Sequence, residues 1–388
     1  MNSKLASRFV KETDKLLVAI CMALSTFGII MVNSATRLSV TDGSNLSRDA
    51  LVMILAVGLG FVAAFIISII DYDIILRLAP LVAVVSVGLM VGLLFFGVSP
   101  AGRDDAISWY AITSSLYFQP SEIVKIGFVI TFAYHLSKIK DDVSSFKNVL
   151  FLCIHGAVPI GLVVLTGDMG SALVFICMFV GMMYVAGIHF SYFIAGALAV
   201  VASLPIIWLK VFSSIQRDRI LALFNPDDYP ETIYQQQQAI NAIKSGGFYG
   251  TGVFNGVYTQ SGLVPESEND MIFSVVCEET GFLGAVILIV LFMCLILRTR
   301  SIAKRSNNLA AQIMCYGVAF MFASQAIVNI GMCTMLLPVI GITLPFMSAG
   351  GSSNVCIYFA IGLLLSIYRS SNGIGYEDYR HTRIAKSL

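Results

Sequence analysis

Charged residues are scarce in this chain of 388 residues. They make up 12% of the sequence, against about 25% in ordinary soluble domains. Hydrophobic residues make up 57%, which is more apolar sequence than a soluble protein of this length could bury in a core. The composition therefore excludes a soluble globular protein. The net charge of +1 gives no indication of nucleic-acid binding, and we expect no nucleic-acid partner.

Cysteine patterns typical of disulfides or metal sites are missing as well. The eight cysteines are scattered, mostly inside apolar runs, and no CxxC or histidine-rich pattern accompanies them. We expect them to be small apolar helix residues rather than disulfide partners or metal ligands. We also expect no cleavable signal peptide, because residues 1–15 are polar and charged and the apolar run after them is long enough to span a membrane.

Long apolar runs, in contrast, recur from one end of the chain to the other. Such runs predict membrane-spanning helices, since a helix needs about 20 apolar residues to cross a bilayer. The predicted fold class is an all-α polytopic membrane protein with about ten transmembrane helices, forming a single transmembrane domain over residues 1–388. The predicted spans are 16–34, 50–70, 77–97, 121–137, 148–166, 170–187, 191–211, 271–297, 309–331 and 342–368.

The distribution of Lys and Arg predicts the orientation of these spans. An even number of spans places both termini on one side of the membrane. With cytoplasmic termini, 16 of the 24 Lys and Arg residues fall on the cytoplasmic side, and 8 fall outside or within spans. Positive charge is enriched in the cytoplasmic loops of membrane proteins. We therefore expect both termini to be cytoplasmic, with the basic cluster at 298–305 as the strongest anchor.

One connection, residues 212–270, is far longer than the others and is predicted to be a large extracytoplasmic loop between spans 7 and 8. A loop of this length usually carries function or structure of its own, and residues 234–243 have helical character. Residues 245–252 are rich in glycine, which permits positive φ and close backbone approach. Gly246 and Gly247 could cradle a phosphate with backbone amides or could form a plain tight turn, and both interpretations stay open.

Asp270 ends this loop and is the last charged residue before the apolar run of span 8. A carboxylate there lies beside low-dielectric material and still reaches the aqueous boundary. Partial desolvation raises the pKa of a carboxylate toward the working pH of a general base. The alternative is that Asp270 only caps the following helix, where Asp complements the helix dipole.

Other polar residues also lie where polarity is unfavourable. Glu122 and Lys125 share a helix face at the start of span 4, where they form either a helix-stabilising ion pair or part of a cavity that meets an anionic group. Asp168 lies in the short turn between spans 5 and 6 and is either a turn or N-cap residue or a cavity residue. Gln325 and Asn329 are four residues apart, which predicts hydrogen bonds between helices.

Proline and glycine interrupt the sequence before and within span 10. Pro338, Pro345 and the pair Gly350-Gly351 break what would otherwise be one helix. Broken helices at membrane depth persist only where protein or a water-filled cavity satisfies the freed backbone groups. We therefore expect a hydrated cavity in the outer half of the protein, bordered by this segment and by the large loop.

Several short motifs follow one another along most of the chain. They are Gln119-Pro120-Ser121-Glu122 with Lys125, Asp168-Met169-Gly170-Ser171-Ala172, Tyr234-Gln235, Gln238-Ala239, Ala242-Ile243, Ser245-Gly246-Gly247, Gly250-Thr251-Gly252, Pro265-Glu266, Asp270 with Ile272-Phe273, Glu278-Glu279, Gly281-Phe282, Gln325-Ala326, Asn329-Ile330-Gly331, Leu337-Pro338 and 341–353. In these residues, and in its ten predicted spans, the chain resembles the SEDS family of bacterial cell-wall glycosyltransferases, represented by RodA, FtsW and SpoVE.

The resemblance implies a peptidoglycan glycosyltransferase in the bacterial cytoplasmic membrane. SEDS proteins polymerise lipid II into glycan strands outside the membrane, and a class B penicillin-binding protein supplies transpeptidation. The implied partners are therefore lipid II, such a penicillin-binding protein and membrane lipids. The essential aspartate of the family falls on Asp270, which would take the proton from the 4-hydroxyl of the acceptor GlcNAc. That oxygen would then displace undecaprenyl pyrophosphate from the donor with inversion, giving a β-1,4 link.

The resemblance also implies substrate-binding residues around Asp270. Cations near the pyrophosphate would stabilise its developing charge, and the candidates are Lys125, Arg217 and Arg219. The other residues assigned to substrate binding are Glu122, Asp168, Gly246, Gly247, Ser352 and Ser353. No metal ligand and no cofactor is assigned; a divalent cation, Mg or Mn, could share the stabilisation of charge, and the sequence does not decide this.

Two other functions fit parts of the sequence. Broken helices and intramembrane charges also occur in transporters, so a flippase for a lipid-linked precursor is one alternative, although no clear inverted repeat is present. A scaffold that only anchors a penicillin-binding protein is the other. The sequence does not separate elongation, division and sporulation, and a RodA-like elongation role is preferred without a residue that decides it.

Overall fold

The computed structural model describes residues 13–39, 45–99, 106–113 and 116–371, which are almost entirely helical. The α-helices are α1 (Lys15–Ala35), α2 (Arg48–Ile69), α3 (Tyr72–Arg77), α4 (Ala79–Phe96), α5 (Pro120–Lys138), α6 (Phe146–Leu165), α7 (Met169–Val185), α8 (Phe190–Ile206), α9 (Ser214–Phe224), α10 (Pro230–Gly246), α11 (Val257–Gln260), α12 (Ile272–Arg305), α13 (Leu309–Cys333) and α14 (Gly351–Ser371). A π-helical turn, Ile207–Val211, extends α8. Two short antiparallel strands are β1 (Tyr110–Thr113) and β2 (Leu116–Phe118).

Each of the ten predicted spans overlaps one long helix. These helices are α1, α2, α4, α5, α6, α7, α8, α12, α13 and α14. Within the described residues, eight helices are long and apolar enough to cross a membrane. Helix α7 is apolar but only 17 residues long, and α5 carries Glu122 and Lys125 in its first two turns. The prediction of an all-α polytopic membrane protein is confirmed.

Polar side chains fix several helix starts. The side chain of Asp14 accepts the N–H of Leu17 at 3.1 Å and so caps α1. The side chain of Ser47 caps α2 in the same way. Such caps satisfy amide groups that have no partner inside the helix. Asp14 also accepts from Arg298 Nε at 2.7 Å, so one carboxylate both starts α1 and joins it to the far end of α12.

Helix α14 packs along α2 through small residues. Ala56, Gly60 and Ala64 lie four residues apart along α2 and are buried. A Cβ on Gly60 would lie 2.5 Å from the ring of Tyr358 in α14, and one on Gly362 would lie 2.9 Å from the backbone of Ala64. Small residues at this spacing allow helices in a membrane to approach closely, so α2 and α14 form one tightly packed pair.

Helices α13 and α8 occupy opposite environments. Helix α13 buries 72% of its most apolar stretch and packs against α5, α7 and α12. Helix α8 buries none of its residues, so its apolar side chains are left for lipid to cover. The interior position of α13 explains how it can carry fully buried polar side chains such as Asn329.

Two predicted spans differ from the structure in their limits. Span 8 is predicted to end at 297, but α12 continues to Arg305 and contains a break at Gly281, where φ is 66° and ψ is −167°. Span 10 is predicted to begin at 342, but α14 begins at Gly351. The physical reason is that Pro345 disfavours helix in the preceding residue and Phe346 adopts a left-handed φ of 64°.

The segment between α8 and α12 folds into α9, α10 and α11. Helix α10 includes the stretch 234–243 for which helix is predicted. It packs against α9, α12 and α13. The side-chain amide of Gln236 donates to the carbonyls of Met332 and Leu337, both at 2.8 Å. These contacts dock α10 onto the end of α13, beside the cavity described next.

Candidate active site

A cavity of about 140 Å³ lies where α5, α7, α9 and the two non-helical segments before α12 and α14 meet. Residues 338–341 form an apolar part of its wall. Its polar lining consists of Ser108, Gln119, Asp168, Gln216, Arg219, Gln235, Glu266 and Asp270. The cavity is therefore bordered, as predicted, by the segment that proline and glycine interrupt before α14 and by the large loop before α12.

Asp270 lines this cavity and is only 3% exposed. The N-cap position of α12 belongs to Met271, which makes no side-chain capping bond. Asp270 therefore lies one residue before the N-cap position that was the alternative prediction for it. A carboxylate that is almost buried yet borders a cavity has the surroundings expected of a general base.

The turn that carries Asp270 begins with a strained residue. Glu266 has a φ of 53°, a left-handed conformation that is uncommon in residues other than glycine. Its carbonyl accepts the N–H groups of Asn269 and Met271, each at 3.1 Å. Its carboxylate accepts Asn269 Nδ2 at 2.8 Å. Glu266 also lines the cavity. It was not predicted as a site residue, although it lies in the same polar segment as Asp270.

Glu268 is a second carboxyl group in this turn, and most of it is buried. Burial raises the pKa of Glu268 above its ordinary value of 4.5, and the negative charges of Glu266 and Asp49 raise it further. The hydroxyl of Ser267 donates to Glu268 Oε2 at 3.4 Å, which partly offsets this effect. The turn before α12 therefore concentrates acidic groups around Asp270.

Asp168 combines the two roles left open for it. Its Oδ1 accepts the N–H of Ser171 at 2.9 Å, so it is the N-cap of α7. Its Oδ2 accepts Gln119 Nε2 at 2.9 Å and the hydroxyl of Ser121 at 3.5 Å. Because Asp168 also lines the cavity, it joins the starts of α5 and α7 at the cavity wall.

The structure separates the two arginines assigned to substrate binding. Arg219 lines the cavity, and its Nη1 donates to the carbonyl of Val339 at 3.4 Å. Arg217 is not among the described lining residues; its Nε donates to the carbonyl of Ser213 in the preceding turn, at 3.4 Å. Arg219 therefore supplies positive charge to the cavity that contains Asp270.

Glu122 and Lys125 form an ion pair inside the protein. Lys125 Nζ lies 2.8 Å from Glu122 Oε1. Lys125 is completely buried and Glu122 is 7% exposed, and neither lies in the described cavity lining. The structure therefore shows the predicted pair, but its lysine is enclosed by protein rather than reaching toward the membrane surface.

Gly246 and Gly247 lie against α12 and not in the described cavity lining. A Cβ on Gly246 would lie 2.0 Å from the carbonyl oxygen of Cys277, so only glycine permits this approach. Gly247 has a φ of 54°, and its carbonyl accepts the N–H of Phe282 at 2.9 Å. The position favours the tight turn over the phosphate cradle, and a substrate-binding role for these glycines stays a prediction.

The glycine-rich segment satisfies the backbone groups freed by the break in α12. The N–H of Thr251 donates to the carbonyl of Glu278 at 2.9 Å, and that of Gly252 donates to the carbonyl of Glu279 at 3.0 Å. Beyond the break, the N–H of Leu283 donates to the carbonyl of Phe248 at 3.2 Å. A break in a buried helix requires such partners, because unpaired backbone groups are costly to bury.

Two buried glutamates in α12 hold the neighbouring segments in place. The carboxylate of Glu278 accepts the N–H groups of Tyr258 and Thr259 at 2.7 and 2.9 Å, and thereby fixes the start of α11. Glu279 Oε1 accepts the hydroxyl of Ser34 at 2.5 Å and the side-chain amide of Gln260 at 3.3 Å. These glutamates therefore connect α12 with α11 and α1.

Ser352 and Ser353 lie in the first turn of α14, outside the described cavity lining. The hydroxyl of Ser352 donates to the carbonyl of Tyr117 in β2 at 3.4 Å. The hydroxyl of Ser353 donates to the carbonyl of Gly350 at 3.5 Å. Their assignment to substrate binding stays a prediction. Among the described residues, no group of three or more His, Cys, Asp or Glu side chains is arranged to hold a metal ion.

Comparison with known proteins shows similarity along nearly the whole chain. The family model described as "Cell cycle protein", for FtsW, RodA and SpoVE, matches residues 14–373. A probable peptidoglycan glycosyltransferase FtsW of Trichlorobacter lovleyi is 32% identical over 92% of this chain and 93% of its own length. The stage V sporulation protein E of Bacillus subtilis is 31% identical over 92% of this chain and 97% of its own length.

A solved structure shows the same architecture. A chain from a peptidoglycan synthase complex, whose structure describes the coordination of polymerization and crosslinking, superposes with a TM-score of 0.79. It shares 26% sequence identity, and the similarity covers 94% of this chain and 99% of the other. The similarity to these relatives in sequence and in fold extends over more than nine-tenths of this chain. The chain therefore belongs to the FtsW, RodA and SpoVE family.

Proposed function

We propose that this chain polymerises lipid II into peptidoglycan glycan strands by inverting β-1,4 glycosyl transfer, with Asp270 as the general base. The observation that carries the proposal is the almost buried carboxylate of Asp270 in a cavity that also contains Arg219. Membership of a family with a relative named as a peptidoglycan glycosyltransferase supports the reaction type.

The proposed reaction needs one base and stabilisation of a leaving anion. The Asp270 carboxylate takes the proton of the 4-hydroxyl of the acceptor sugar, and that oxygen forms a bond to the anomeric carbon of the donor. The bond from this carbon to the pyrophosphate breaks, and undecaprenyl pyrophosphate leaves with the electron pair. Pyrophosphate is a good leaving group, so the second carboxylic acid of a glycosidase is not required.

Arg219 is the residue best placed to stabilise the leaving pyrophosphate. It borders the cavity from α9, and its bond to the carbonyl of Val339 holds it beside the segment 338–341 of the cavity wall. A fixed cation beside developing negative charge lowers the barrier most when water is excluded. Asp168 and Gln119 are proposed to contact polar groups of the substrate, because both line the same cavity.

The partner and the location follow from the family likeness. The similar chain of the solved complex acts where polymerization and crosslinking are coordinated, and we assign a class B penicillin-binding protein as the transpeptidase partner of this chain. The proposed site is the bacterial cytoplasmic membrane, with both termini in the cytoplasm and the cavity on the outer side. The preference for a role in elongation over division or sporulation stays a prediction.

The decisive experiment measures glycan polymerisation from lipid II by the purified chain with its class B partner. We expect glycan ladders from the wild type and none from Asp270→Asn, which keeps the shape of the side chain and removes the base. Asp228→Asn is the matched control, because Asp228 is an exposed aspartate of the same loop outside the described lining, and it should give wild-type ladders.

The same experiment separates the alternative functions. A scaffold would bind its partner and be indifferent to the change at Asp270. Ladders of equal length from the wild type and from Asp270→Asn would remove Asp270 from the chemistry. A folded, partner-bound wild type that gives no ladder would favour the flippase or the scaffold, and transport of a labelled lipid-linked precursor across vesicles would then separate these two.

A further inference from the structure

Three consecutive carbonyls in the turn that carries Asp270 are held by one set of donors. The N–H of Ala349 donates to the carbonyl of Glu268 at 2.7 Å. The hydroxyl of Ser348 donates to the carbonyl of Asn269 at 2.7 Å. The side-chain amide of Asn329 donates to the carbonyl of Asp270 at 2.9 Å. We call Asn329, Ser348 and Ala349 the carbonyl clamp.

Asn329 connects two walls of the cavity. It is completely buried in α13, and its Nδ2 donates both to the carbonyl of Asp270 and to that of Ile342, the latter at 2.8 Å. Both hydrogens of the amide are therefore used, as a primary amide allows. Ile342 directly follows residues 338–341, which line the same cavity as Asp270. A single side chain thus joins the backbone of the proposed base to the segment that forms this part of the wall.

Ser348 and Asn354 complete the attachment. The hydroxyl of Ser348 donates to the carbonyl of Asn269 and accepts the N–H of Leu344 at 2.8 Å, so its donor and an acceptor site are both engaged. The side-chain amide of Asn354 in α14 donates to the carbonyls of Ser348 and Gly350, at 3.1 and 2.8 Å. The clamp is therefore anchored to α13 on one side and to α14 on the other.

The backbone of residues 268–270 needs an external support of this kind. It lies outside any helix, and the strained Glu266 begins the turn. The position of the Asp270 carboxylate depends on its backbone, and a misplacement of about 1 Å at a reacting group can lower the rate by about 100-fold. Catalytic groups require supporting residues that are themselves locked in place.

We infer that Asn329, assisted by Ser348, is a positioning residue that fixes Asp270 relative to the wall at residues 338–341. The inference rests on the proposed role of Asp270 as the base. It assigns Asn329 no contact with the substrate, because Asn329 is completely buried and outside the described cavity lining.

The primary test replaces Asn329 by Asp, which keeps the shape of the side chain but has no donor when ionised. At pH values where the new carboxyl is ionised, we expect kcat for lipid II polymerisation to fall by about 100-fold, while KM changes little because the residues that line the cavity are untouched. As the pH falls, the new carboxyl becomes protonated and regains one donor. The ratio of variant to wild-type kcat should therefore rise toward acidic pH, which a purely structural defect would not produce.

A matched control is available one turn away on the same helix. Gln325 is 2% exposed, and its Oε1 has no hydrogen-bond partner among the described residues. Gln325→Glu therefore introduces a carboxyl group into the same buried helix without touching the clamp. We expect its kcat ratio to the wild type to stay constant with pH. Binding of the class B partner and thermal unfolding in detergent report the folding of each variant.

A second pair of variants decides the question if Asn329→Asp does not fold. Ser348→Ala removes one clamp donor. Ser324→Ala removes a buried hydroxyl of α13 that, among the described residues, bonds only to its own helix, at the carbonyl of Met321. We expect kcat to fall by about 10-fold or more for Ser348→Ala, since misplacement of a reacting group lowers the rate. Ser324→Ala should keep its wild-type value.

The outcomes separate this inference from the proposed function. If Asp270→Asn is inactive while folded Asn329→Asp and Ser348→Ala keep the wild-type kcat and pH profile, the positioning role is overturned and the glycosyltransferase stands. If Asn329→Asp lowers kcat by the same factor at every pH, the rate does not depend on the donor of residue 329, and the inference is likewise overturned. Full activity of Asp270→Asn would reject the proposed base itself.

Discussion

Gln119 and Asp168 join the starts of two helices at the cavity, with Gln119 Nε2 donating to Asp168 Oδ2 at 2.9 Å. The other oxygen of the same carboxylate caps α7 through the N–H of Ser171. One side chain therefore starts a helix and sets part of the cavity wall. A change at Asp168 should therefore affect both the stability of the fold and the proposed contact with the substrate.

Two substitutions at Asp168 should separate these contributions. Asn is as good an N-cap as Asp, whereas Ala has no capping oxygen. We expect Asp168→Asn to keep the cap but lose the bond from Gln119, because its amide nitrogen cannot accept, and Asp168→Ala to lose about 1 kcal/mol more of unfolding free energy than Asp168→Asn. Thermal or denaturant unfolding in detergent measures this difference. Equal stability of the three proteins would show that the cap contributes nothing.

The two arginines of α9 should differ in their effect on activity. Arg219 borders the cavity, whereas Arg217 bonds to its own helix. We expect Arg219→Gln to lower kcat by about 100-fold, the order seen when a stabilising donor is removed from a developing anion. Arg217→Gln is the control and should lower kcat far less. Similar losses from both variants, measured by lipid II polymerisation, would argue against a specific contact.

Removing one charge of the Glu122–Lys125 pair should destabilise the fold much more than removing both charges together. Lys125→Met leaves Glu122 as an uncompensated charge among buried residues, which we expect to lower the unfolding free energy by about 3–5 kcal/mol. The double variant Glu122→Gln, Lys125→Met removes both charges and should recover most of this loss. Unfolding of the three proteins in detergent is the measurement, and a double variant no more stable than Lys125→Met would contradict the argument.

Glu268 should make the fold less stable as the pH rises. Burial raises its pKa in the folded protein above the ordinary 4.5, so the folded state binds this proton more tightly than the unfolded chain does. The resulting stabilisation is complete below pH 4.5 and is lost as the pH rises through the folded value.

Glu268→Gln stays uncharged at every pH, so its stability should exceed that of the wild type increasingly above pH 4.5. Unfolding temperatures of both proteins across this range provide the measurement. Substitution of the exposed Glu231 by Gln is the control for losing a charge from the same loop. Parallel pH curves for wild type and Glu268→Gln would refute the argument.

The apolar runs predict the helices well, because the thickness of the bilayer sets their length regardless of packing. They fail at the break in α12, where the residues on both sides of Gly281 are helical and nothing nearby in the sequence marks the bend. The left-handed φ of Gly281 becomes favourable only through contacts with residues 247–252, which lie about 30 residues away. Such a contact has no local signature.

The residues of the candidate site also come from distant parts of the sequence, and only some of them were predicted. Asp168, Arg219 and Asp270 are far apart in sequence, yet they line one cavity. The motif resemblance pointed to Asp168 and Asp270, and Arg219 was one of three candidate cations for the leaving group. The same resemblance grouped Gly246 and Ser352 with them, although these residues pack against α12 and near β2. Motifs mark residues that matter together but do not distinguish those that border the cavity from those that hold the surrounding helices.

The pairing between the glycine-rich segment and α12 also has a consequence for synthesis of the chain. Residues 247–252 precede the break at Gly281, and they already carry the donors and acceptors that the interrupted helix lacks. Because a growing chain folds from its N-terminus, these partners have left the ribosome before α12 is inserted. The bent helix can therefore complete its hydrogen bonds on entry, without waiting for α13 or α14.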